Sequence, residues 1–103
     1  MALRRLLRNL WHALRRRRLA HRLARRGARL YAQGRLPESV AAYQEALELQ
    51  PDAPPMLINF GLALYQSGRK GEARAAWQRA LALTEATRPY LAEQARILLR
   101  QFG

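Results

Sequence analysis

An all-α fold, in which a short stack of helix hairpins follows a basic amphipathic helix, is what this sequence predicts, and three observations carry the prediction. Residues 20–53 laid on residues 54–87 coincide at thirteen positions, among them Leu23/Leu57, Gly27/Gly61, Leu30/Leu64, Tyr31/Tyr65, Gly34/Gly68, Ala46/Ala80 and Leu49/Leu83. A self-match of this period marks stacked helical units, each too small to bury its apolar face alone. Glycine and proline fall where helices stop and restart, and no segment alternates with the period of two that a strand requires. The chain is long enough for one modest core. It has no cysteine, so neither disulfides nor thiolate metal sites enter the reading.

The elements follow in chain order. Residues 1–19 form a basic amphipathic arm. Leu3, Leu6, Leu7, Leu10 and Leu14 recur at helical spacing, with Trp11 beside them. Arg4, Arg5, Arg8, Arg15 and Arg16 take the other side, and Arg17 and Arg18 follow. Residues 20–53 are the first repeat, with helices at 20–33 and 38–49. Gly34 sits where a helix C-cap needs the left-handed conformation, and Pro37 suits the first turn of the next helix. Pro51 and the Pro54-Pro55 pair force an extended break. Residues 54–87 are the second repeat, with helices at 55–67 and 71–85, and Gly68 and Gly71 as its punctuation. Residues 88–103 hold a last helix at 89–101, with Thr87 as its expected N-cap and Leu91, Ala95, Leu98 and Phe102 on its inner face.

Phase separates the arm from the first repeat. Leu14 and Leu23 are nine residues apart, about two and a half turns at 3.6 residues per turn. Their stripes therefore oppose one another on a continuous helix. Either the chain bends within Arg15–Leu19, or the arm's leucines face away from the repeat core.

Gly27 and Gly61 stand inside helices, where glycine costs about 1 kcal/mol against alanine, and so imply close helix contact. With Gly34, Tyr43, Ala46 and Pro51 in one copy and Gly68, Ala73, Trp77 and Ala80 in the next, residues 20–87 resemble two tetratricopeptide repeats (TPR). The resemblance implies a short right-handed α-solenoid closed by residues 88–103 as a capping helix. Three positions depart from the pattern: Arg26 replaces a large apolar residue, Ser39 an alanine and Glu85 the terminal proline.

The family binds a peptide or partner helix in a concave groove lined by the first helix of each repeat. Carried onto this chain, that edge includes Arg25, Tyr31, Ile58, Asn59, Leu62, Tyr65, Gln66 and Arg96. Asn59 matches one member of a clamp that some relatives close on a C-terminal carboxylate. Ala24 and Ala28 stand where the clamp's basic members would be, which argues against that mode.

Charge is distributed unevenly. Residues 1–35 hold twelve arginines and no acid, whereas residues 36–103 hold seven basic and seven acidic residues. The whole net charge of +12 thus lies at the N-terminal end. A basic face, an apolar stripe and a tryptophan fit a helix lying in the plane of an anionic membrane. Other readings are a cap packed on the first repeat, a helical interface with a partner or a second copy, and docking on nucleic acid. The last lacks any base-reading motif. A mitochondrial leader is disfavoured, since no serine or threonine precedes Ser39.

Catalytic patterns are missing. His12 and His21 lie half a turn apart, Ser39 and Ser67 have no histidine at a recognisable spacing, and no phosphate-cradling glycine loop occurs. The expectation is a non-enzymatic adaptor without cofactor or metal, cytoplasmic and peripheral to a membrane. Its partners would be a protein or peptide in the groove and an anionic membrane surface at the arm. Nucleic acid and a homo-oligomer are the alternatives.

Overall fold

Five helices and no strand make up the chain in a computed structural model that describes residues 1–103: α1 (Ala2–Ala32), α2 (Leu36–Leu49), α3 (Pro54–Gln66), α4 (Lys70–Thr84) and α5 (Pro89–Phe102). Each joint has a local cause. At the end of α1, Gly34 adopts φ +75°. There the Arg35 amide reaches back to the Leu30 carbonyl at 2.9 Å and the Gly34 amide to Tyr31 at 3.0 Å. At the end of α3, Gly68 adopts φ +83°, and Arg69 and Gly68 make the same two bonds to Leu64 and Tyr65. These are Schellman caps, and they satisfy carbonyls that would otherwise end the helix unpaired. Proline occupies the first turn of α2, α3 and α5, where its missing amide proton costs nothing. Arg88, not Thr87, is the N-cap residue of α5, and no side chain caps that end. Thr84 is fully buried and donates its hydroxyl to the Ala80 carbonyl at 2.7 Å.

Within each hairpin an aromatic ring of the second helix lies over a glycine of the first. A Cβ at Gly27 would come 2.9 Å from the Tyr43 ring, and a Cβ at Gly61 2.7 Å from Cδ1 and Cε2 of the Trp77 indole and closer still to its Nε1. Glycine is therefore what lets α3 meet α4 so closely, and at Gly27 it eases a looser contact of α1 with α2. Buried polar groups are paired across the same contacts. Ser39 donates to the Gly27 carbonyl at 2.7 Å, which explains a hydroxyl where the family prefers alanine. Trp77 Nε1 donates to the Ile58 carbonyl at 3.1 Å.

Between hairpins, Val40 and Tyr43 join Ala63, Leu64, Ala73 and Trp77 in the main core. Leu57, Ile58, Ala76 and Ala80 close against Ala95 of α5. Ala20, Ala46 and Met56 seal the junction of α1, α2 and α3. An ion pair from Arg79 to Asp52, 2.8 Å long, ties α4 to the linker between the hairpins.

The arm is where sequence expectation and structure part most. No bend occurs within Arg15–Leu19, and α1 runs unbroken from Ala2 to Ala32. The expected boundary between residues 19 and 20 thus falls inside one helix, and the helix expected at 20–33 is its second half. Leucine, alanine and arginine are strong helix formers and nothing before Gly27 interrupts them, so the cheaper of the two options is to continue. Ala20 is the first buried residue. Residues 2–19 project about 27 Å past the hairpins at 1.5 Å per residue and do not cap the first repeat.

Candidate protein-binding groove and basic helix

Along the seam between α1 and α3 runs a shallow groove in two connected parts. One part is a cavity of about 240 Å³ lined by His21, Ala24, Arg25, Ala28, Tyr43, Ala53, Pro55, Met56 and Asn59. The next, about 150 Å³, is lined by Ala28, Tyr31, Tyr43, Asn59 and Leu62. Ala28, Tyr43 and Asn59 belong to both parts, so the groove is continuous. Small residues on α1 open the space, and Tyr43 reaches into it from α2 behind. Burial pushes the Tyr43 hydroxyl above the ordinary tyrosine range, and the neighbouring Tyr31 adds to the shift. The groove floor is thus neutral throughout the physiological range, with charge only at its α1 rim.

Of the groove residues read from the sequence, the structure brings Arg25, Tyr31, Asn59 and Leu62 together here. Ile58 is buried and turned away, packed against Ala76, Ala80 and Ala95, because α4 and α5 cover that side of α3. It is not a groove residue. Tyr65 packs against Phe102 with ring centroids 4.9 Å apart and against Trp77 at 6.2 Å. The Lys70 ammonium lies 5.6 Å from the Tyr65 ring centre. Gln66 is exposed at the end of α3. Arg96 is exposed and bonds Glu93 at 3.4 Å, while Arg100 shares the same carboxylate at 3.2 Å.

The structure adds Tyr43, Met56 and His21 to the groove. His21 was legible in principle, since it lies seven residues, about two turns, before Ala28 on the same helix. Tyr43 was not, because a residue that fills the gap over Gly27 gives no sign that its other edge faces outward.

The arm presents a second surface. Leu3, Leu6, Leu7, Leu10, Trp11 and Leu14 are between 46% and 66% exposed. Arg4, Arg5, Arg8, Arg15, Arg16, Arg17 and Arg18 are exposed too. Five ion pairs form in the chain, and none involves an arginine of α1. Hollows of about 520 and 500 Å³ lie among the arginine side chains of α1. They have no second element as a wall, and we read them as gaps between solvated side chains. No helix is long and apolar enough to cross a membrane. No three residues of His, Asp or Glu come together as metal ligands would.

Comparison with known proteins bears on this architecture. A family model described as TPR repeat matches residues 27–68, and one described as tetratricopeptide repeat matches residues 56–88. Among solved structures, the first TPR of Spaghetti (RPAP3), bound to the HSP90 peptide SRMEEVD, is similar with a TM-score of 0.65. The likeness covers 82% of this chain and 68% of that one at 21% identity, a level that speaks for the fold alone. No curated protein matches.

Proposed function

We propose that this chain, which belongs to the tetratricopeptide repeat family, is a non-catalytic protein-interaction adaptor that holds a peptide or partner segment in the groove between α1 and α3. The observation that carries the reading is the groove itself: two helices wall it, its floor is apolar, and its few polar groups (Asn59, Tyr31, Arg25) converge on it. That combination favours orientation of a ligand over chemistry on it. The solved neighbour was bound to a peptide, which supports the same class of ligand here. Ala24 and Ala28 leave the carboxylate clamp incomplete, so the ligand is an internal segment with apolar side chains rather than a charged C-terminal tail.

The arm adds a second contact, with an anionic membrane surface. Its arginines lack internal partners, and each basic group near such a surface contributes on the order of 1 kcal/mol. The adaptor would then be cytoplasmic and peripheral to the membrane.

Selection of a displayed peptide library on the whole chain tests the groove. Binders should be lost on Ala28→Glu or Leu62→Glu variants whose circular dichroism matches the parent. Binders that survive both substitutions place the site elsewhere. Sedimentation with anionic vesicles tests the arm, and retention on RNA or concentration-dependent light scattering in its place would favour the nucleic-acid or self-assembly alternative.

A further inference from the structure

Because α1 is one unbroken helix, the leucine stripe of its exposed half and the groove wall of its packed half have a fixed relation. Eighteen residues make five turns at about 3.6 residues per turn, and they return a side chain to the same direction. Leu3 lies eighteen positions before His21, Leu7 before Arg25 and Leu10 before Ala28. His21, Arg25 and Ala28 all line the groove. The stripe and the groove are therefore one face of the molecule. Along that face leucine continues to position 14 and then gives way to Arg17, His21 and Arg25.

Charge divides the molecule along the same line. The three helices that flank the groove or stack in its layer, α1, α3 and α5, carry thirteen arginines and a single acid, Glu93. Behind them, α2 and α4 carry three basic residues and four acids. The layer with the groove is strongly positive and the layer behind it nearly neutral.

We infer that the groove face of this domain is turned toward an anionic lipid bilayer, with leucines 3–14 inserted at the interface and Arg17, His21 and Arg25 at headgroup level. This rests on the reading that the arm docks on a membrane. The occupant is anionic, since a second copy would set arginine against arginine with no acid among residues 1–35. A bilayer fits better than a single acidic helix. From Leu6 round to Trp11 the stripe spans roughly 140°, wider than the narrow seam of a two-helix contact. Arg4, Arg15 and Arg8 border it beyond Trp11, and on the other side the small Ala13 and Ala2 and then Asn9 lead round to Arg16 and Arg5. Tryptophan at the edge and arginine beyond it are the arrangement of a helix lying in the interface. A groove so oriented takes a segment that itself lies at the bilayer surface, such as the membrane-proximal tail of an anchored protein.

Single-cysteine labelling tests the orientation, and a chain with no cysteine of its own suits it. A fluorophore is placed on Asn59→Cys in the groove or on Glu45→Cys, which lies in the crevice on the other side of α1. Vesicles of equal phosphatidylcholine and phosphatidylglycerol carry a quencher on the lipid headgroup. The expected result is loss of emission at position 59 on vesicle binding and none at position 45. Quenching at 45, or equal quenching at both, overturns the orientation while leaving membrane docking intact. Failure of the unmodified chain to sediment with these vesicles, whether or not it binds an acidic peptide or RNA, removes the docking reading and the orientation with it. A Leu7→Asp/Leu10→Asp chain should show neither sedimentation nor quenching.

Discussion

Replacing Gly61 with alanine measures how closely the second hairpin is packed. In an exposed helix the change would gain about 1 kcal/mol in propensity. Here the new Cβ would come 2.7 Å from Cδ1 and Cε2 of Trp77, and closer still to Nε1. Trp77 is fully buried and its indole is bonded to the Ile58 carbonyl, so the ring has nowhere to swing. Overpacking of this kind costs about 1–3 kcal/mol, and losing the indole bond about 1 more. Set against the propensity gain, the net loss is about 1–3 kcal/mol, which for a domain of this size lowers Tm by roughly 5–20 °C. Gly27→Ala meets Tyr43 at 2.9–3.1 Å, where a small shift of the ring suffices. Its strain and its propensity gain should nearly cancel, leaving stability within about 1 kcal/mol of the parent. Thermal unfolding followed at the helical circular dichroism band reads both variants. In a Trp77→Phe background, which trims the indole, Gly61→Ala should cost distinctly less than in the parent. A Gly61→Ala chain as stable as Gly27→Ala, or one unaffected by Trp77→Phe, would refute the packing argument.

Gly34→Ala and Gly68→Ala force a Cβ into the left-handed region with open space around it; each should cost about 1–2 kcal/mol in urea unfolding, and equal costs would show that φ alone is responsible. Leu7→Asp/Leu10→Asp alters residues with no core contact, so stability should stay within about 0.5 kcal/mol of the parent while binding to anionic vesicles is lost; a large drop in Tm would mean that the arm packs on the hairpins after all. Arg69 holds the Glu72 carboxyl below its ordinary value through a two-pronged hydrogen bond, so the pair's contribution is present above the ordinary carboxylate range and disappears as pH falls through the lowered one. Glu72→Gln should therefore flatten the acid limb of a pH–stability curve and leave the neutral region almost unchanged, as expected of an exposed pair.

The hairpins could be read from the sequence because their causes are local. Gly34 and Gly68 adopt the positive φ that glycine in those places implies, and Gly27 and Gly61 meet the aromatic residues sixteen positions on. The arm's course was harder to read, since phase alone allowed either a bend or a projecting stripe. What decides between them is the cost of interrupting a helix that has no breaker, and Arg15–Leu19 contain none. The groove was half legible. Repeat equivalence sets Ile58 against Ala24, yet one lies under α4 and α5 while the other lines the groove and stays partly open. Equivalent positions in a solenoid share a direction but not a neighbour, so the first unit of a stack cannot predict the burial of the second.

The projecting helix carries an electrostatic strain that the proposed docking on an anionic surface would relieve. Arg4 and Arg8, Arg18 and Arg22, and Arg22 and Arg26 stand four apart, a spacing at which like charges destabilise a helix. Arg4 and Arg5 also sit in the first turn, against the positive end of the helix dipole, with no acid there to offset them. The hairpins add no counter-charge to α1, since their paired acids bond arginines outside it and most of the others lie on the layer behind. An anionic surface supplies what the chain omits: it screens the arginine repulsion, offsets the exposed dipole, and covers leucines that nothing within the molecule covers. Neutralising the arginines alone would leave that stripe in water, and covering the leucines alone would leave the repulsion unscreened. The two needs lie on adjoining sides of one straight helix, and a charged interface with an apolar interior meets both at once.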